Sequence, residues 1–258
     1  MTRILVSNDD GIWSPGIRAL AEALEELGEV LVVAPDVEQS AMSHAITIRR
    51  PLRYRKTKIG GLNAYRVDGT PADCVALGVA NHGPPDLVVS GINIGSNIGF
   101  NVTHSGTVAA AMEGTLYKIP SIAVSLRLKR DLPMDFGPAA DAAAALSKVV
   151  LRDGLPEGTL LNVNVPPGQP KGYRVTRLSV HQYQGSVLRR VDPEGEEYYW
   201  MTGDPVADER EGYDWAAIEQ EYISITPLKL DLTDLQCLPD VEKSMRELVA
   251  REAAPARG

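Results

Sequence analysis

At 258 residues the chain is long enough to bury a large core without disulfides or structural zinc, and its 44% hydrophobic and 23% charged residues are those of an ordinary globular protein. A net charge of -8 argues against a nucleic-acid polymer or an anionic membrane as the main partner, while leaving room for a small anion held at a local site. No run approaches the roughly 18 apolar residues of a membrane span.

The first element is a short apolar run, Ile4-Leu5-Val6, with the length and branching of a buried central strand. It leads straight into Asn8-Asp9-Asp10-Gly11. In an open parallel sheet, ligands bind beyond the carboxyl ends of the strands, so the two carboxylates are expected at that edge. Adjacent anions repel, and a hard divalent cation relieves them. The plain alternative is a turn, since Asn, Asp and Gly are the residues that turns prefer.

Ser14-Pro15-Gly16 offers a cap followed by proline at the first helical position, with Ile17, Leu20, Leu24 and Leu27 at helical spacing and Gly28 at the end. Residues 30–34 read as a second buried strand, closing a βαβ unit. The polar stretch 36–44 leaves the same sheet edge, which brings Asp36, Glu38, Gln39, Ser40, Ser43 and His44 within reach of the crevice. Residues 47–56 and 62–67 read as a hairpin. Thr70-Pro71-Ala72-Asp73 is a helix start with Thr as N-cap and Asp in the first turn.

Residues 86–90 form the next parallel strand, followed by the glycine-rich stretch Gly91-Ile92-Asn93-Ile94-Gly95-Ser96-Asn97-Ile98-Gly99. This matches neither the GxGxxG dinucleotide fingerprint nor the GK[ST] of a phosphate-binding P-loop. Ser105, Gly106 and Thr107 then open a helix to about residue 116, and small residues at a helix N-terminus suit a phosphate or sulfate. Ser105 or Thr107 serves equally well as a simple N-cap. Residues 120–125 read as a strand and 138–150 as an alanine-rich helix, so the pattern through about residue 150 is a doubly wound α/β sheet.

The remainder differs in composition. Strands are expected over 160–165, 173–180 and 222–226, an exposed hairpin over 187–203, a closing helix over 235–249 and a frayed tail over 251–258. Eight aromatic residues lie between Tyr173 and Tyr222, and the cluster Tyr198-Tyr199-Trp200 beside a charged turn reads as a subunit contact, against the alternative of an aromatic minicore. Cys74 and Cys237 have no metal-ligand spacing, and no charged, apolar leader precedes the first strand. A reduced, cytoplasmic setting is the expectation, with the sequon Asn101-Val102-Thr103 accidental.

Taken together, the oxygen donors Asp9, Asp10, Ser40 and Asn93 select magnesium, manganese or calcium over zinc or copper. A cation beside an anion-binding helix terminus suits phosphoryl transfer to water, with Asp9 able to assist deprotonation and His104 able to protonate the leaving alkoxide.

Several separate stretches in this order resemble the survival protein SurE family: Ile4 to Gly11; Ala34-Pro35-Asp36 through Gln39-Ser40-Ala41; Gly69 to Cys74; and Ser90-Gly91-Ile92-Asn93 with His104 to Val108. In the C-terminal part, Leu161-Asn162-Val163-Asn164-Val165-Pro166 and the stretch from Tyr222 to Leu228 belong to the same resemblance. It implies a single domain over 1–258, with a Rossmann-like catalytic core over 1–155 and C-terminal strands, hairpin and helix over 156–258 that exchange between subunits of a homodimer or homotetramer. It implies a metal-dependent phosphatase of nucleoside 5'- and 3'-monophosphates, in some members also of short polyphosphate. One divalent ion per subunit, magnesium or manganese, is implied on Asp9, Asp10, Ser40 and Asn93, with Asn97 and residues 105–107 facing phosphate. Some relatives carry a histidine after the Asp-aromatic pair, where this chain has Asp214-Trp215-Ala216.

The rival reading is a magnesium-binding receiver-like regulatory domain. It needs an acceptor Asp after the third parallel strand and a Lys after the fifth, where this chain has Ser90 and Ser125. The DxD spacing of haloacid-dehalogenase-like phosphatases is absent.

Overall fold

The computed structural model describes residues 1–129, 131–180, 183–205 and 207–252. The strands are β1 (Arg3–Ser7), β2 (Glu29–Pro35), β3 (Tyr54–Ile59), β4 (Leu62–Val67), β5 (Leu87–Ile94), β6 (Ser121–Leu126), β7 (Thr159–Val165), β8 (Tyr173–Val175), β9 (Tyr183–Val191), β10 (Glu197–Pro205) and β11 (Ile223–Lys229). The helices are α1 (Pro15–Leu24), α2 (Pro71–His82), α3 (Gly106–Leu116), α4 (Gly137–Asp153), α5 (Asp214–Glu219) and α6 (Leu238–Glu252). Nine strands form one sheet in the order β3-β4-β2-β1-β5-β6-β7-β11-β8, and β9 pairs with β10 in a separate ribbon. From β4 to β7 all neighbours are parallel; β3 against β4 and β11 against β7 are antiparallel. This is the doubly wound, mostly parallel α/β sheet expected.

Alternation along β1 shows how the layers are held. Ile4 and Val6 face one side, packing with Ile17, Leu20 and Ala143 of α1 and α4, while Leu5 faces the other side with Val75 and Ala110 of α2 and α3. A third cluster joins Val108 and Ala111 of α3 to Leu160 of β7 and Leu228 of β11, tying the C-terminal strands to the same core. The chain leaves β1 toward β2 on one side and later returns to β5 on the other. The gap beyond β1 and β5 is therefore the topological switch point of the sheet, where loops diverge and leave a crevice.

Several boundaries differ from expectation, and two of them share one cause. Residues 47–53 are not strand: Thr47 donates its N–H to Asp73 Oδ1 at 2.9 Å, Arg53 donates to Asp68 Oδ1 at 2.8 Å, and Pro51 has no N–H, so β3 begins only at Tyr54. The strand expected over 173–180 stops at Val175, because the N–H groups of Ser179 and Val180 go to Asp214 and Asp208. Side-chain carboxylates thus take donors that a sheet ladder would otherwise use. Conversely, β5 runs through Asn93 to Ile94, re-pairing with β6 after a bulge, so Asn93 sits on a strand and not in a free glycine loop. Helix α5 leaves no sign in the sequence, its six residues being too few to display a helical period. The hairpin is longer than 187–203, and residues 253–258 of the expected tail lie outside the described residues. No helix among the described residues is long and apolar enough to cross a membrane.

The start of α2 is the most heavily built cap. Thr70 Oγ1 accepts from Asp73 N at 3.1 Å, Asp73 Oδ2 accepts from Thr70 N at 2.9 Å, and the Thr70 hydroxyl donates to Ala45 O at 2.7 Å. Replacing Thr70 by Ala is expected to destabilise the chain by about 1–2 kcal/mol. Urea unfolding followed by circular dichroism measures it, and an unchanged midpoint would show that the cap adds nothing.

Candidate active site

The acidic turn combines the two readings open from the sequence. Asn8, fully buried, closes the turn by donating its side-chain N–H to Gly11 O at 3.0 Å, and Ser14 N also donates to Gly11 O at 3.0 Å. The carboxylates of Asp9 and Asp10 take no part in that closure. Asp9 is 4% exposed and meets the start of α3: the Thr107 hydroxyl donates to its Oδ1, and the Gly106 and Thr107 N–H groups also face the carboxylate. Gly106 is required there, because a Cβ at that position would lie 2.8 Å from Asp9 Cβ.

Burial pushes the Asp9 carboxyl above its usual range, opposed by the Thr107 hydroxyl and the helix-start N–H groups. Asp10 accepts from Ile94 N at 3.1 Å. Burial, then the neighbouring Asp9 charge, then Glu38, push its carboxyl up to about 6.

The other expected residues gather at the same strand ends. Asn93 donates its side-chain N–H to Gly95 O at 2.7 Å, a bond that does not use its side-chain carbonyl. Ser40 lies on the loop after β2, which is fastened by Gln39 N donating to Asp9 O at 2.7 Å; the Ser40 hydroxyl donates to Glu38 Oε1 at 2.7 Å, leaving its lone pairs as acceptors. Ser105 takes the cap, accepting from Val108 N at 3.1 Å. Asn97 is buried, with its side-chain N–H directed to Ser125 Oγ at 2.8 Å. His104, just before the cap, is exposed, and its carbonyl accepts from Ser43 N at 3.0 Å.

The structure thus brings Asp9, Asp10 and Asn93 together with residues 105–107 through the switch point. The role of Thr107 as a donor to Asp9 was not foreseen from sequence, nor was the electrostatic influence of Glu38 on Asp10. Both residues stood in the right stretches, but nothing in their spacing assigned a partner. A cavity of about 740 Å³ lies far from this chemistry, lined by Met1, Glu29, Asn63, Tyr65 and His82. Topology and charge, not cavity size, mark the crevice.

The donor set fits a hard cation. Among the described residues no three His, Cys, Asp or Glu side chains converge, so an ion here would depend on the carboxylate pair, neutral oxygens such as those of Ser40 and Asn93, and water.

The folded chain holds the Asp10 proton up to about pH 6, whereas an unfolded chain releases it near the ordinary 3.8, so metal-free stability falls as pH rises through that window. Asp10→Asn, in chelator, is therefore expected to melt a few degrees higher than the parent above pH 6, with the gain gone below about pH 4. Thermal melts across pH check this, and an equal or lower Tm for the variant at pH 7 would contradict it.

Residues 4–185 match the family model described as survival protein SurE. The chain is 58% identical over 234 residues to the 5'-nucleotidase SurE 1 of Thermus thermophilus, covering 90% of this chain and 93% of that one. It is 51% identical over 251 residues to the 5'-nucleotidase SurE of Deinococcus radiodurans, covering 95% and 94%. Its fold superposes on the crystal structure of the SurE protein from Aquifex aeolicus with a TM-score of 0.82, at 41% identity and covering 94% of this chain and 99% of that one. With the acidic pair, the capped helix start and the sheet order all present, the chain belongs to the survival protein SurE family.

Proposed function

We propose that this chain is a metal-dependent phosphomonoesterase that hydrolyses nucleoside 5'-monophosphates to nucleoside and phosphate, with 3'-monophosphates and short polyphosphate as further substrates. The activity named for relatives as similar as 58% identical supports this reading. The observation that carries it is the placement of Asp9: a carboxylate at a strand end, received by the first N–H groups of α3. That helix start already accepts an anion within the chain, and a phosphate oxygen has the same requirements.

Asp9, Asp10, Ser40 and Asn93 are the residues that would hold one magnesium or manganese ion per subunit. Such an ion, when bound, supplies neutralising charge for the phosphate and an acidified water. Asp9, held at the start of α3 by the Thr107 hydroxyl, would take a proton from the attacking water as the new P–O bond forms. His104, at the exposed lip, would give a proton to the ester oxygen as its bond to phosphorus breaks. Ser105, Gly106, Thr107 and Asn97 are assigned to phosphate, with Thr107 also fixing the orientation of Asp9.

The homo-oligomer, dimer or tetramer, belongs to the same proposal. On the hairpin, Val187, Tyr199, Trp200 and Met201 are exposed, Trp200 by 63% and Met201 by 86%, and α6 exposes Leu238, Val241, Met245 and Leu248 in one stripe. Apolar area of this kind favours cover by a second copy. A cytoplasmic setting agrees with Cys237, an exposed free thiol, and with the buried free thiol of Cys74.

A panel of nucleoside monophosphates and other phosphate esters, run with magnesium, manganese or chelator, tests the function directly. Sustained phosphate release that stops with chelator is the expected result; a single stoichiometric phosphorylation would instead favour the receiver-like reading. Asp9→Asn is expected to lose about 10²- to 10⁴-fold in kcat while keeping its circular dichroism spectrum. A variant with near-parent kcat would remove Asp9 from the mechanism. Asn93→Ala is expected to raise the half-saturating metal concentration by about tenfold or more, and an unmoved metal dependence would strike it from the ligand set.

A further inference from the structure

The loop from Gly95 to Thr103 joins Asn93 to the helix start at Ser105 and carries Asn97, assigned above to phosphate. Its backbone is gripped by side chains from other elements. Asn97 N donates to Asn164 Oδ1 at 2.8 Å, and Asn97 O accepts from Asn162 Nδ2 at 2.8 Å and from Asn164 Nδ2 at 3.0 Å. Two residues on, Gly99 N donates to Asp214 Oδ2 at 2.9 Å. Gly99 sits at φ +55°, a left-handed conformation that other residues adopt only under strain.

Asp214 is fully buried, and its other oxygen accepts from Ser179 N and Trp215 N, both at 2.8 Å. Asn162 and Asn164 are fully buried as well, at the crevice end of β7. Three side chains from beyond residue 156 therefore hold the backbone of two loop residues in a water-poor setting, where an unmet N–H or C=O is costly.

We infer that Asn162, Asn164 and Asp214 form a buried clamp that positions the 95–103 loop for phosphate, making them positioning residues for hydrolysis that do not touch substrate. The inference rests on the phosphatase reading above. It assigns to the C-terminal part a role inside each subunit's own catalytic site. The clamp acts on the phosphate side: it grips Asn97 and Gly99, whereas Asp9 and Asp10 lie in the turn after β1 and the Asn93 side chain reaches only as far as Gly95 O, two residues short of the first clamped position.

Two variants test it. Asp214→Asn keeps shape and one acceptor oxygen but sets an N–H₂ group against Gly99 N or its neighbours. Asn162→Leu removes one donor to Asn97 O at near-constant volume, and the Asn162 Oδ1 it deletes has no hydrogen-bond partner to strand. In each, the inhibition constant for inorganic phosphate is expected to rise by about tenfold, the size of one lost hydrogen bond, with kcat/KM for AMP falling in step. The half-saturating manganese concentration should stay within about twofold of the parent, well inside one such factor.

A general loss of structure would move both readouts together, so a parallel shift in metal requirement overturns the clamp, as do parent-like phosphate constants in both variants. If Asp214→Asn fails to fold, Asn162→Leu decides alone. An active parent with unmoved variants removes only the clamp, whereas a parent that neither turns over phosphate esters nor binds phosphate removes the phosphatase reading with it.

Discussion

Two neighbouring carboxylates at the end of a buried strand set the terms for everything around them. Asp9 and Asp10 follow β1 with no residue between them, and both lose water. Among the described residues each is met by backbone donors and not by a basic side chain: Asp9 takes the first N–H groups of α3 and the Thr107 hydroxyl, and Asp10 takes Ile94 N at the end of β5. These partners account for features that otherwise have no reason. Residue 106 must be glycine because Asp9 occupies the space of its side chain, and β5 must continue past its bulge so that Ile94 reaches Asp10. An arginine in the same place would have cancelled the charge permanently; donors of partial charge leave the pair able to take a proton or a cation.

The sheet and the site were legible to different degrees, for physical reasons. Parallel strands buried on both faces are continuous apolar runs, so β1, β2, β5, β6 and β7 stand out, and the caps Ser14, Thr70 and Ser105 mark helix starts by their own chemistry. That was enough to place Asp9, Asp10 and Asn93 at one edge. What the sequence concealed were contacts between residues far apart in the chain. Thr107 meets Asp9 across 98 residues, and Asp214 meets Gly99 across 115. The same long-range carboxylate bonds shortened the expected strands over 47–56 and 173–180, since local propensity says nothing about a distant Asp that captures a strand's N–H groups.

Composition changes after about residue 150, and the core runs through the change. β7 and β11 continue the sheet that β1 begins, and Leu160 and Leu228 pack on α3, the helix whose start receives Asp9. Among the described residues the hairpin β9–β10 stands apart, its two strands pairing with each other and leaving Tyr199, Trp200 and Met201 exposed.

The loops at the crevice share one method of restraint. The loop after β2 is fastened near its middle to two helix starts: Ser43 hydroxyl and N–H reach the carbonyls of Thr103 and His104 just before α3, while Ala45 O and Thr47 N are held by Thr70 and Asp73 at the start of α2. The loop after β5 is held by the first residue of α5 and by two asparagines of β7. Helix starts offer unmet N–H groups and favour short polar side chains, and those side chains accept or donate in fixed directions because the helix behind them is packed on the sheet. Rigid elements thus dictate the paths of loops whose own sequences, rich in Gly, Ser and Asn, would specify little. A crevice built this way takes its geometry from the core, and a change to a buried residue on β7 or α5 can reach the site without touching anything that binds there.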